Sequence, residues 1–210
     1  MISIKEMPYR ERYAIVLDKM KPNNVLISPF IQKHLGAKAL EELQDIWQEG
    51  IKPVPEDASD EEKYEIAYSN LIWRGKSSLS FVRSHLGEDG IKQFKLAQVE
   101  ELKRKNTGPA LFMLGLLRAV SPGSAFIMTA KRMAYQMQWL TPLSLVELTR
   151  NRAVYDIPRC KVLDFPDAED ICLIDCQGAY PMWLAEQFKV GLKFERQGND
   201  CTATLTHLDK

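Results

Sequence analysis

The sequence predicts an α+β fold in which a helical N-terminal layer packs on a C-terminal antiparallel sheet. Three observations carry this reading. Apolar residues recur at helical spacing through the first two thirds of the chain. Strand-type alternation is confined to the last third. All four cysteines, Cys160, Cys172, Cys176 and Cys201, also lie there. The 210 residues read as a single domain, 1–142 mainly helical and 143–210 a cysteine-containing α+β part.

The elements follow in order. Phe30, Ile31, Leu35, Ala39, Leu43, Ile46 and Trp47 form one apolar stripe and predict a helix over 30–47, stopped by Gly50, Pro53 and Pro55. Ser59 with Glu62 makes a capping box. The helix it opens runs through Tyr64, Ala67, Tyr68, Leu71 and Ile72, with a candidate break at Gly75 and an end at Gly87. The next helix starts near Glu88 and ends in the turn 106–109; Glu100 with Arg104 and Glu101 with Lys105 lace its outer face. The run 110–120 is nearly all apolar and is expected to be buried on every side, as a core helix or a homodimer seam. Ser124 is the expected cap of a helix through Phe126, Ala130, Met133, Met137 and Leu140, which Thr141 and Pro142 stop. Residues 143–156 read as two short strands. Asp167 is the expected cap of a helix carrying Cys172 and Cys176, and Pro181 opens a short helical piece with Trp183. Val190, Leu192 and Phe194 then alternate with charged residues. After a turn at Gly198, Asn199 and Asp200, the residues Cys201, Ala203, Leu205 and His207 share one strand face.

Charge and hydropathy exclude several functions. Lys plus Arg and Asp plus Glu are both 28, so no net field draws the chain to nucleic acid or acidic lipid. Mean hydropathy is −0.26, and no apolar run approaches the roughly 20 residues that span a bilayer. Residues 1–12 alternate charged and apolar types and lack the core of a signal peptide. The expectation is a cytoplasmic protein with a small-molecule ligand and neither nucleic acid nor membrane as partner.

The cysteines concentrate the chemistry, and three readings stay open. They are small apolar core residues, or zinc ligands drawn from Cys160, Cys172, Cys176 and Cys201, or reactive thiols at a pocket with no cofactor. Cys172 and Cys176 are four apart and share a helix face. Cys172 lies in the early turns of its helix, where a thiolate is favoured, and is the first candidate nucleophile; Cys160 is the second. Asp175 and Asp156 are the candidate acid/base partners. Tyr68, Trp73, Met128, Met133, Tyr135, Met137 and Trp139 fall at helical spacings that fit a core; Tyr135 and Trp139 also suit the wall of an apolar pocket. Arg132 could hold a carboxylate there. His34 and His85 read as solvated. His207 is six residues beyond Cys201, about 20 Å along a strand, so no Cys–His dyad is readable. The glycine-rich phosphate loops, the serine-hydrolase elbow and the zinc-protease motif are absent.

One resemblance rests on four features: Pro158, Arg159 and Cys160 after a strand, Cys172 on the following helix, Trp183 on the next, and the closing hairpin Gly198, Asn199, Asp200, Cys201. Over roughly 110–208 this pattern resembles the L-2-amino-thiazoline-4-carboxylic acid hydrolase-like family and, more distantly, the 4-vinyl reductase (hydrocarbon-binding) domains. The resemblance implies helices packed on one antiparallel sheet with a small-molecule pocket between. It implies either hydrolytic opening of a small sulfur- or nitrogen-containing ring or non-catalytic ligand sensing. Cys160, Cys172 and Cys201 are the positions it carries over, with Trp183 beside them at the pocket.

Overall fold

The computed structural model describes residues 2–21, 26–105 and 109–208, without the side chains of 109–114. Helices come first and the sheet last, an α+β arrangement. The helices are α1 (Tyr9–Met20), α2 (Ile27–Leu35), α3 (Ala37–Gly50), α4 (Asp60–Lys105), α5 (Pro109–Val120) and α6 (Pro122–Met137). Strands β1 (Ser144–Leu148) and β2 (Arg152–Ile157) follow, then a single 3₁₀ turn, Lys161–Asp164. The short α7 (Glu169–Ile171) widens into a π-helical stretch, Cys172–Ala179, and narrows again into α8 (Tyr180–Phe188). Strands β3 (Val190–Gln197) and β4 (Asp200–His207) close the chain.

Several boundaries differ from the sequence expectation, each for a local reason. The stripe over 30–47 is split into α2 and α3 by Gly36, whose φ of +89° breaks the helix. Both halves still bury their apolar faces together, Phe30 and Ile31 with Leu43 and Trp47. Gly75 does not interrupt α4. A Cβ there would sit 3.2 Å from Ile171 Cδ1, so the glycine permits a close approach instead. The bend falls at Gly87, with φ +63° and ψ −163°, a combination left essentially to glycine. Arg104 pairs with Glu101 and Glu100 with Lys103, while Lys105 reaches Glu101 at 3.3 Å as expected. The helix-ending residues 106–108 lie outside the described residues. In α5, Leu116 and Val120 are exposed, Val120 at 87%, so the run is not buried on every side; α6 covers one side of it. The side chains of 110–114 lie outside the description. α6 starts at Pro122 rather than at a Ser124 cap, because proline favours the first helical turn. Asp167 adopts a left-handed conformation (φ +58°), and α7 begins two residues later without a side-chain cap. Pro181 opens nothing new, since the helical path is continuous through it. Met128 is exposed, whereas Tyr68 is fully buried.

The capping box is present. Ser59 N–H donates to Glu62 Oε2 at 2.9 Å, and Glu62 N–H donates to Ser59 Oγ at 3.2 Å. Ser59→Ala is expected to cost about 1 kcal/mol, read as a lower urea midpoint at unchanged slope.

The sheet has the order β1-β2-β4-β3, antiparallel throughout. One face buries Ala153, Tyr155, Ala203 and Leu205 against Phe126 and Ala130 of α6. Around α4, Tyr64 and Tyr68 pack with Val16 of α1 and Val162 of the 3₁₀ turn. Cys160 touches both the sheet core and this helical core. Among the described residues no helix is long and apolar enough to cross a membrane.

Candidate functional site

The π-helical stretch builds the site. A π turn is closed by i→i+5 hydrogen bonds and is wider than an α turn; such turns recur at functional sites. Gly178 makes room for this one. A Cβ there would lie 2.6 Å from Lys95 Cδ of α4 and 3.1 Å from the Leu173 carbonyl oxygen. Cys172, Asp175 and Cys176 fall within one such turn, pressed against α4 and α8.

The two thiols of this turn act on each other. The Cys176 S–H donates to Cys172 sulfur and lowers the Cys172 pKa, the Arg196 guanidinium adds to that effect, and burial opposes both. Cys176 is driven the opposite way, first by the Cys172 sulfur and then by burial. The hairpin delivers Arg196, which stands opposite Cys201 in the β3–β4 register and is held by Glu169 at 3.0 Å. The same hairpin ties down Cys160, whose N–H donates to the Asn199 carbonyl at 2.7 Å. Burial raises the Cys160 thiol and pushes Cys201 up to about 11, and Cys172 repels the thiolate form of each. Cys160, Cys172 and Cys201, distant in the chain, therefore lie within electrostatic reach of one another.

Asp175 continues the cluster on the helical side. Burial lifts its carboxyl to about 6, against the opposing pull of Gln98 and Lys19. Gln98 Nε2–H donates to Asp175 Oδ1 at 3.0 Å, while Gln98 Oε1 is buried and finds no partner among the described residues. The Lys19 ammonium sits 5.0 Å over the Trp139 ring, and burial lowers its pKa. Tyr180, beside Asp175 and Cys176, is pushed up by burial. Asp175, Cys176 and Tyr180 are crowded on all sides, yet none is fully shut off from solvent. They sit where the π stretch packs on α4, with Lys19 of α1 acting on Asp175.

The other expected residues are more dispersed. Trp139 lies beneath the Lys19 ammonium on the helical side of the cluster. Trp183 packs edge-on to Phe188 at 5.1 Å, on the border of the sheet core. Arg132 is exposed on α6, and Tyr135 donates to Glu11 of α1 at 2.6 Å. Neither is among the main groups acting on the thiols. Asp156 is exposed on β2. Arg196, Gln98, Lys19 and Tyr180 enter the site without having been singled out by the sequence reading. Only Arg196 had a signal, since hairpin pairing around Gly198 and Asn199 sets it across from Cys201.

Cavity volume alone points elsewhere. An open groove of about 490 Å³ lies between the N-terminal segment and β1, lined by Ile2, Ile4, Glu6, Arg12, Leu143 and Ser144. Its charged groups, Arg12 and Glu6, already pair with each other at 3.5 Å, whereas the thiol cluster gathers several strongly shifted groups and is the stronger candidate. Beneath the sheet, between Met133, Met137 and Phe194, the space is about 10 Å³, room for about one water. Among the described residues, no three His, Cys, Asp or Glu side chains come together in a way that could hold a metal ion. Compared with known protein families, curated proteins and solved structures, the chain matches none.

Proposed function

We propose that the chain binds a small molecule at the thiol cluster and hydrolytically opens a small ring containing sulfur or nitrogen. The observation that supports this most is the pairing of a Cys172 thiol favoured as thiolate with an Asp175 carboxyl poised near neutrality on the same turn. The Cys172 thiolate adds to the carbon of a ring C=N bond, and the nitrogen takes a proton from Asp175. The neighbouring heteroatom's lone pair then forms a double bond to that carbon as the ring C–N bond breaks, and the nitrogen, taking a second proton from solvent, leaves as the amine, with the carbon still bound to Cys172 sulfur. Water adds to that carbon, giving one proton to Asp175 and the other to solvent as the carbonyl forms, and the Cys172 thiolate leaves. One water is consumed and the thiol is restored. Arg196 favours the thiolate between cycles.

The test offers the reduced protein a panel of thiazolines and imidazolines and follows products by mass. At least one compound is expected to gain 18 Da, to slow iodoacetamide labelling of Cys172, and to remain unchanged with Cys172→Ser. Absence of the mass gain and of protection across the panel overturns the proposal.

A further inference from the structure

The hydrolytic reading uses Cys172 and leaves Cys176 as a hydrogen-bond donor. The local geometry gives Cys176 more to do. Four residues of α-helix advance about 6 Å, inside the Cα separation of roughly 4.4–6.8 Å that a disulfide bridges, and a π turn is flatter still. Both side chains lie in that turn, and each is the strongest single influence on the other. Asp175 stands immediately before Cys176, and all four cysteines are free.

We infer that Cys172 and Cys176 form a thiol–disulfide exchange pair that reduces small-molecule disulfides, with Cys172 attacking and Cys176 resolving. The Cys172 thiolate attacks one sulfur of R–S–S–R, forming a mixed disulfide and expelling RS⁻. Cys176 passes its proton to the Asp175 carboxylate, and its sulfur attacks Cys172 Sγ, expelling the second RS⁻. The two thiolates are protonated by Asp175 and solvent. Two protein thiols are oxidised to one disulfide, and one substrate disulfide is reduced to two thiols. The exchange shares Cys172 with the hydrolytic reading but needs no ring substrate.

The experiment incubates the reduced full chain with hydroxyethyl disulfide and no other ligand. The products are followed by intact mass, thiol titration and peptide mapping. The wild type is expected to lose two of its four thiols, fall in mass by about 2 Da, and map a link between Cys172 and Cys176. Cys176→Ala is expected to stop at a stable mixed disulfide on Cys172. Cys172→Ala is expected to react at least tenfold more slowly. Thermal melts establish that each variant is folded. A mixed disulfide that persists in the wild type, a link through Cys160 or Cys201, or no reaction overturns the exchange. The two readings fail separately: if Cys172 still takes iodoacetamide rapidly, only the exchange is lost, whereas an inert Cys172 removes both.

Discussion

At pH 7, iodoacetamide will label Cys172 at least tenfold faster than Cys160 or Cys201. The thiolate is the nucleophile, so the rate follows the fraction ionised. Cys201, with its pKa near 11, holds roughly one thiolate in ten thousand at pH 7. Cys160 is raised as well, and both owe the shift chiefly to burial. In Cys172 burial acts the same way but is outweighed by the Cys176 S–H and then by Arg196. A lower pKa also softens the nucleophile, with a slope of about 0.4–0.5, which removes only part of the advantage. The rate–pH profile of Cys172 should therefore bend below the value of about 8.5 for an ordinary thiol. Arg196→Gln should move that bend upward, and Cys176→Ala should move it further, because the hydrogen bond is the larger cause. A bend at or above the ordinary value in the wild type would mean that burial wins and that Cys172 is an inert core thiol.

The parts of this arrangement differ in how legible they were. The final hairpin was readable because alternation, turn residues and strand pairing all act over a few residues. The Ser59 capping box was equally local. Grouping of the cysteines in one part of the chain gave a clue that they would lie near one another, since Cys160 follows β2 and Cys201 pairs with its end at Ile157. The π stretch was not readable. Its pattern is that of a helix, and the widening accompanies the fit of Gly178 beneath Lys95, a tertiary contact. Lys19, Gln98 and Asp175 are likewise assembled from α1, α4 and the π stretch by packing across 156 residues of sequence, counted from Lys19 to Asp175. Arg132 and Tyr135 illustrate the converse. Each has the chemistry for a pocket, but the rotation of α6 against the sheet leaves Arg132 in solvent and Tyr135 paired with Glu11.

Asp175→Asn will stabilise the protein at pH 8, leave it nearly unchanged at pH 4, and impair ring opening about a hundredfold. The carboxyl rises from 3.8 to about 6 on folding, chiefly because burial penalises its charge. The folded chain thus keeps its proton longer than the unfolded chain. Below about pH 4 both forms are protonated and the site costs nothing. Between about pH 4 and 6 the unfolded state ionises first, binds fewer protons, and stability falls as pH rises. Above about pH 6 both are ionised and the loss is complete. At about 1.4 kcal/mol per pKa unit the gap approaches about 3 kcal/mol, which residual solvent contact reduces to about 1–2 kcal/mol. Asparagine preserves the volume and the acceptor for Gln98 but carries no charge, so it escapes this loss. It also cannot give or take a proton, and a positioned acid or base typically contributes about 10²–10⁴-fold. Urea denaturation of both proteins across pH 4–8 reads the first effect and product formation from a ring substrate reads the second. A stability difference that is the same at pH 4 and pH 8 would show that Asp175 bears no buried charge, and the proton transfers assigned to it would have to come from another group.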